Sequence, residues 1–248
     1  MSGHSKWASI KHKKAATDAK RGKAFTRIIK EIMIAAKQGG GDPESNPRLR
    51  TAVDSAKGIN MPNDNIKKAI LRGTGELEGV NYEDISYEGY GPGGVAILIE
   101  CLTDNNNRTV AEVRHILGKY NGNLGESGCV GWMFTKKGVV IVGKDKIEED
   151  NLLEIILENG AEDMTEDDDN FIVTTTPETL TQVTDAIKTT IEIISSEVAM
   201  EPSTYVKLEE KQAHQMLKLL DKIEEIDDVQ NVWTNFDIDS ESVESYNG

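Results

Sequence analysis

This 248-residue sequence predicts an α+β fold: a basic N-terminal helical domain followed by two ferredoxin-like α/β domains, one inserted in the other. Three observations predict it. Charge is divided along the chain: residues 1–75 hold 16 Lys/Arg against 6 Asp/Glu, a net of +10, and residues 76–248 hold 12 against 37, a net of −25. Within the basic part, apolar residues recur at helical spacing in three short segments. Beyond residue 94, short apolar runs alternate with helical patterns in the order of β-α-β-β-α-β units.

The elements follow in order. Residues 1–23 lack a periodic apolar face and read as an arm. Phe25, Ile28, Ile29, Ile32, Met33 and Ala36 then form one helical stripe, ended by Gly39-Gly40-Gly41. A second helix runs from Pro47 to Gly58 with Leu49, Val53 and Ala56 inward, and a third from near Asp64 to Gly73 with Ile66, Ala69 and Ile70 inward. Residues 76–93, rich in Gly, Glu and Asp, read as a linker. Val95–Leu102 is a buried strand, Asn105–Arg108 caps a helix, and strands follow near Asn123–Leu124 and Val130–Phe134.

At Lys136-Lys137-Gly138 a fresh pattern starts. Strand Val139–Val142, helix Glu148–Asn159, strands Glu162–Thr165 and Phe171–Thr175, helix Pro177–Thr190 and strand Ile193–Val198 make one complete ferredoxin-like unit. Helix Glu209–Glu225 and strand Val229–Asp237 are left over. Added to residues 94–135 they complete a second unit, so the expected domains are 1–75, 76–135 with 205–248, and 136–204.

Composition excludes several function classes. With 38% hydrophobic and 29% charged residues the chain buries a core. No apolar run approaches the roughly 18–20 residues of a membrane span, and no apolar segment follows the basic N-terminus, so the expectation is a cytoplasmic protein. Cys101 and Cys129 form neither a disulfide framework nor a CxxC knuckle, and read as small hydrophobes in a reducing compartment. Asn107-Arg108-Thr109 is a formal glycosylation sequon without meaning there.

Catalytic signals are weak. Gly89-x-Gly91-x-x-Gly94 satisfies the dinucleotide pattern, but a strand follows it where a helix N-terminus is needed, so it reads as a tight turn. The histidines at 4, 12, 115 and 214 share no metal spacing. Glu166-Asp167-Asp168-Asp169 lacks the Gly and Glu of a calcium loop and reads as a solvated hairpin turn. The sequence therefore predicts a non-enzymatic protein with no cofactor, no metal and no small-molecule substrate.

The basic segment is the strong feature. Lys6, Lys11, Lys13, Lys14, Lys20, Arg21 and Lys23 can each neutralise a phosphate, with His12 among them and Trp7 placed to stack on an unpaired base. A merely solubilising tail is the bland alternative, but it would not need the opposite sign to the body. Arg27, Arg48, Arg50, Lys67, Lys68 and Arg72 extend the candidate surface over the helices, and Arg108 and Arg114 offer a second contact. RNA fits better than duplex DNA, since no single helix presents a base-reading row.

The motifs also carry a resemblance. Gly3-His-Ser-Lys-Trp7, Ile10-Lys-His-Lys-Lys14, Asp18-x-Lys-Arg-Gly-Lys23, Asn60-Met-Pro62, Arg72-Gly-Thr-Gly75, Tyr87-Glu-Gly-Tyr-Gly-Pro-Gly-Gly94, Asn107-Arg-Thr109, Gly122-Asn-Leu-Gly125, Trp132-Met-Phe134, Asp228-Val-Gln-Asn231 and Thr234-Asn-Phe-Asp237 together resemble the YebC/PmpR family. Cys129, Gly131 and Asn121 depart from its usual Ser, Ala and Gly. The resemblance implies a three-domain, non-enzymatic, cytoplasmic protein; separately, the chain is expected to be a monomer. It further implies either a ribosome-associated factor that contacts ribosomal RNA and relieves stalling on proline-rich stretches, or a regulator that binds promoter DNA.

Overall fold

The computed structural model describes residues 18–167 and 169–238 and has a mixed α+β architecture of N-terminal helices, two four-stranded antiparallel sheets and a two-stranded parallel one. It divides into two compact units, one of residues 132–205 and the other of the segments on either side.

Three helices open the larger unit: α1 (Asp18–Gly39), α2 (Pro47–Gly58) and α3 (Asn63–Thr74). The α1 stripe is where its periodicity places it, with Ile32, Met33, Ala35 and Ala36 buried against Leu49, Ala52 and Ala56 of α2 and Ile66 and Ala69 of α3. Helix α1 reaches back beyond the expected arm boundary, so Lys20, Arg21 and Lys23 lie on it. Good helix formers, with Ala19 and Ala24 among the cations, extend it without an apolar stripe. Asn46 stitches α1 to α2. Its Oδ1 accepts the Leu49 N–H at 3.1 Å, while its Nδ2 donates to the Ala35 and Gly40 carbonyls at 2.8 and 2.9 Å. Helix α3 ends one residue beyond the expected Gly73, on left-handed Gly75. Gly73 instead permits close packing, since a Cβ there would stand 2.4 Å from the Met33 carbonyl oxygen.

The first correction concerns the expected linker. Within it lies strand β1 (Glu83–Tyr90), paired along its whole length with β2 (Ala96–Thr103). Its acids look like linker composition, yet Ile85, Tyr87 and Gly89 alternate with polar residues, the pattern of a strand with one wet face. The Gly-rich segment is a tight Pro92–Gly94 turn leading into β2, with no helix after it.

Helix α4 (Asn106–Lys119) is capped by Asn105, and the short β3 (Asn123–Leu124) pairs with β1. Glu88 organises the following loop by accepting the N–H groups of Gly128, Val130 and Gly131 at 2.6–2.7 Å. Beyond residue 205 come β8 (Val206–Lys207), α7 (Glu210–Glu224), β9 (Val229–Thr234) and β10 (Phe236–Asp237), numbered to follow the unit described next. The central sheet has the order β3-β1-β2-β9 and is wholly antiparallel. Its core joins Ile97, Ile99, Val113, Leu117, Met216, Leu217, Leu220 and Phe236. Trp233 of β9 is buried and donates its indole N–H to Glu100 at 3.0 Å. The second correction is topological: leaving aside β8 and β10, which pair with each other in parallel, the order is β-β-α-β-α-β and not the expected ferredoxin-like one, because β1 supplies a strand and residues 130–134 do not.

The 132–205 unit contains β4 (Phe134–Gly143), α5 (Glu149–Glu158), β5 (Ala161–Glu166), β6 (Asn170–Thr175), α6 (Leu180–Lys188) and β7 (Ser195–Pro202). The expected β-α-β-β-α-β order is present, with an antiparallel sheet ordered β5-β6-β4-β7 over a core of Val140, Leu152, Ile156, Val173 and Val183. Lys136-Lys137-Gly138 does not start this unit but lies inside one long strand. Gly138 is a packing residue, since a Cβ there would come 2.2 Å from Thr175 Oγ1. Trp132, at the edge of the unit, is 75% exposed. Among the described residues, no helix is long and apolar enough to cross a membrane.

Two glycine substitutions separate packing from propensity. Gly73→Ala is expected to lower unfolding free energy by about 1–3 kcal/mol, because the Met33 backbone must move. Gly118→Ala, in α4 with open space around the new methyl, is expected to raise it by about 0.5–1 kcal/mol. Urea denaturation midpoints of the two variants check both signs.

Candidate nucleic-acid interface

The most tightly built charged cluster centres on Asp228, in the turn between α7 and β9, where it is 3% exposed. Its Oδ1 accepts from Lys30 Nζ at 2.8 Å, and its Oδ2 accepts from Arg108 Nη2 at 2.6 Å. The hydroxyls of Thr103 and Thr109 donate to Oδ2 at 3.1 and 2.7 Å. Lys30, itself buried, directs its remaining donors at the Asp227 and Leu102 carbonyls, 2.9 and 3.4 Å away, with its ammonium 5.2 Å from the Tyr82 ring centroid. Burial alone would push the Asp228 carboxyl up; hydrogen bonds from Arg108, Lys30 and Thr109 outweigh it and hold the group at about 2.

Lys30 is the third of a row. Lys23, Arg27 and Lys30 occupy successive turns of α1 and meet the C-terminal end of α7: Lys23 bonds the Glu225 carbonyl, Arg27 the Glu224 carbonyl and Lys30 the Asp227 carbonyl. Helix C-termini carry unpaired carbonyls and partial negative charge, so three cations complement this one. Burial pulls the pKa of both Lys23 and Arg27 down. Arg48 joins α2 to α1 and β1. It pairs bidentately with Glu31 at 2.6 and 3.1 Å and contacts Asp84 at 3.0 Å.

The predicted site residues therefore fall into groups. Lys6, Trp7, Lys11, His12, Lys13 and Lys14 lie outside the described residues, and Lys20 and Arg21 are placed on α1 by their backbone alone. Lys23, Arg27, Arg48 and Arg108 are engaged within the chain. Arg50, Lys67, Lys68 and Arg72 are exposed on α2 and α3, and Arg114 is exposed on α4. Arg50 donates to the Pro43 and Glu44 carbonyls; Lys67, Lys68 and Arg72 enter no ion pair among the described residues. Sequence reading missed Lys30, Tyr82 and Asp228 as functional groups. Lys30 interrupts an apolar helix face, and Asp228, Arg108 and Thr109 each stand in a quoted motif; these were the available signals.

A cleft of about 680 Å³ opens over the cluster, lined by Tyr82, Arg108, His115, Lys222 and the 225–228 turn. Both cations and acids line it. Cys101, buried nearby, has its thiol pushed up to about 12, first by burial and then by the Asp228 charge, so it is not a nucleophile at neutral pH. Among the described residues, no group of three or more His, Cys, Asp and Glu is placed to hold a metal ion.

A basic helical domain latched by a buried ion-pair cluster onto an antiparallel α+β domain, with a second α+β unit in the chain, defines a modular protein distinguished by charged surfaces. Residues 5–76 match the family described as TACO1/YebC protein N-terminal domain, and residues 82–236 match the TACO1/YebC second and third domain. The chain belongs to the TACO1/YebC family. A "probable transcriptional regulatory protein" of Geobacter sulfurreducens is 58% identical over 98% of this chain and 99% of its own. One of Koribacter versatilis with the same description is 57% identical over the whole of both chains. The crystal structure of a conserved hypothetical protein from Aquifex aeolicus superposes with a TM-score of 0.82 at 47% identity, covering 93% of this chain and 96% of that one.

Removing the central carboxylate tests the cluster. Asp228→Ala strands Lys30 in a buried site and is expected to cost about 3–5 kcal/mol in urea unfolding. The native carboxyl is depressed, so its contribution is present above the ordinary Asp range and lost as pH falls from about 4 towards 2. Asp228→Asn should flatten that acid limb, read as unfolding free energy against pH.

Proposed function

We propose that this protein is a non-enzymatic regulatory factor that binds nucleic acid and acts on the ribosome. In this reading it contacts ribosomal RNA and relieves stalling on proline-rich stretches. The observation that carries the reading is the segregation of charge. The first 75 residues hold a net +10, and within them Arg50, Lys67, Lys68 and Arg72 are exposed on a single small helical domain. Cations of this kind displace counterions from phosphates and position a protein without reading sequence. The segment that precedes α1 supplies further cations and Trp7 to the contact. The acidic remainder is repelled by RNA and so faces away from it.

The chain is taken as three domains, 1–75, 76–135 with 205–248, and 136–204; the compact 132–205 unit supports the last of these, shifted by a few residues. The protein works in the cytoplasm as a monomer, without a cofactor. A second reading, a DNA-binding transcriptional regulator, is favoured by the names of the relatives.

The two readings part in one experiment. In-cell crosslinking followed by sequencing of the recovered nucleic acid is expected to enrich ribosomal RNA; reads dominated by promoter DNA would favour the regulator of transcription instead. The interface has its own test. Exchanging Lys11, Lys13, Lys14, Lys20 and Arg21 for Glu should weaken co-sedimentation with ribosomes by about 100-fold or more at physiological salt. Lys23 is kept, because its contact with α7 belongs to the fold. Unchanged co-sedimentation would show that the arm is not the contact.

A further inference from the structure

Helix α5 has two stripes. Leu152 and Ile156 are buried in the core of the 132–205 unit, and Leu153 and Ile155 pack partly against it. The opposite stripe is Asp150, Glu154, Leu157 and Glu158, spaced i, i+4, i+7 and i+8, and all four are exposed. A lone leucine at the surface is ordinary. Leu157, 69% exposed, instead shares its stripe with three carboxylates set one turn apart.

Folding alone does not account for this stripe. Asp150 with Glu154, and Glu154 with Glu158, are like charges at i, i+4, which weaken a helix. Glu154 and Glu158 also lie toward the C-terminal end, where the backbone dipole favours cations, yet the last turn holds no basic residue. Residues 132–205 hold 17 Asp/Glu against 5 Lys and no Arg. Lys137, Lys144 and Lys146 pair with Glu162, Glu166 and Asp145, so none of these three serves α5. The stripe selects an occupant by sign. Nucleic acid and anionic lipid are repelled, and among the described residues no group of three or more His, Cys, Asp and Glu is placed to hold a metal ion. A helix laid along α5 with Lys or Arg repeating every four residues meets one carboxylate per turn, and an apolar residue between them covers Leu157.

We infer that the outer face of α5 docks a lysine- and arginine-rich amphipathic helix of a partner protein, with Leu157 as its apolar contact. The inference goes beyond the nucleic-acid reading and is independent of it: the acidic unit takes a protein partner whether the basic domain contacts RNA or DNA.

The test uses the full-length protein and a fluorescein-labelled helical peptide of about 18 residues, five turns, with Lys or Arg at i, i+4 and Leu between them on one face. A peptide of the same composition in shuffled order, with its cations on all sides, is the control. By fluorescence anisotropy the patterned peptide is expected to bind about tenfold more tightly than the shuffled one. Asp150→Lys with Glu154→Lys should weaken the patterned peptide by about tenfold. Glu209→Lys with Glu210→Lys, an equal change of net charge at exposed positions in the other unit, should weaken it by less than about twofold. Leu157→Ser leaves the charge alone and should weaken it about fivefold. Stability should move the other way: Glu154→Lys sets a cation between Asp150 and Glu158 and should raise the melting temperature by about 2 °C while weakening binding. Affinity lost in that variant is then not lost folding. Failure of the patterned peptide to bind, equal binding of the two peptides, equal effects of the two double reversals, or an unaltered affinity in Leu157→Ser overturns the inference. A lower melting temperature for Glu154→Lys overturns it too, since the fold itself would then need the acidic stripe.

Discussion

A carboxylate taken out of water must be repaid by hydrogen bonds from charged partners, and Asp228 meets that constraint with groups from three separate parts of the chain. Lys30 comes from α1, Arg108 and Thr109 from α4, and Thr103 from the end of β2. Arg108 and Thr109 also bond locally, to Asp104 and to the Asn105 carbonyl, but Asp228 draws all four together. Each position is therefore fixed relative to the others, and the basic helical domain is held in one orientation against the central sheet. The row of Lys23, Arg27 and Lys30 reinforces that hold by covering the carbonyl end of α7. Lysine and arginine have different tasks here: Lys30 spreads three donors over two carbonyls and one carboxylate oxygen, while Arg108 bridges Asp228 and Asp104 from the surface.

This sorting of cations changes how the basic domain is understood. A count of Lys and Arg treats all sixteen as a surface for an anionic partner. Lys23, Arg27, Lys30 and Arg48 are instead committed to neighbours within the fold, and those neighbours are backbone carbonyls as often as acids. The cations left outward are on the opposite task. Lys67, Lys68 and Arg72 lie exposed on α3 and enter no ion pair among the described residues, so their counter-charge has to come from outside.

Much of this was legible in the sequence, and the failures have physical causes. The α1 stripe, Pro47 at the start of α2 and the order of elements in 132–205 follow from periodicity and punctuation, which are local. Strand β1 was hidden because Glu83, Asp84 and Glu88 have linker composition, and only its pairing with the apolar β2 makes it a strand. Missing it misplaced the central topology as well. The glycines at 73 and 138 look like breakers but are required by neighbours distant in sequence, the Met33 carbonyl and the Thr175 hydroxyl. The Lys30–Asp228 pair spans 198 residues, a separation no local pattern encodes. Its members were visible singly, as a lysine on an apolar face and as residues of recurring motifs, without any sign that they meet.

The three tryptophans of the chain are distributed one to a region. Trp7 precedes α1, Trp132 stands solvent-facing at the edge of the 132–205 unit, and Trp233 is enclosed in the central sheet with its indole N–H on Glu100. The molecule thus carries its own optical reporters. Emission from Trp233 should lie to the blue and shift red only when the central sheet opens, while Trp132 starts in a water-like environment. Keeping one indole at a time would let the melting of the central sheet be followed separately from events at the edge of its neighbour and along the arm.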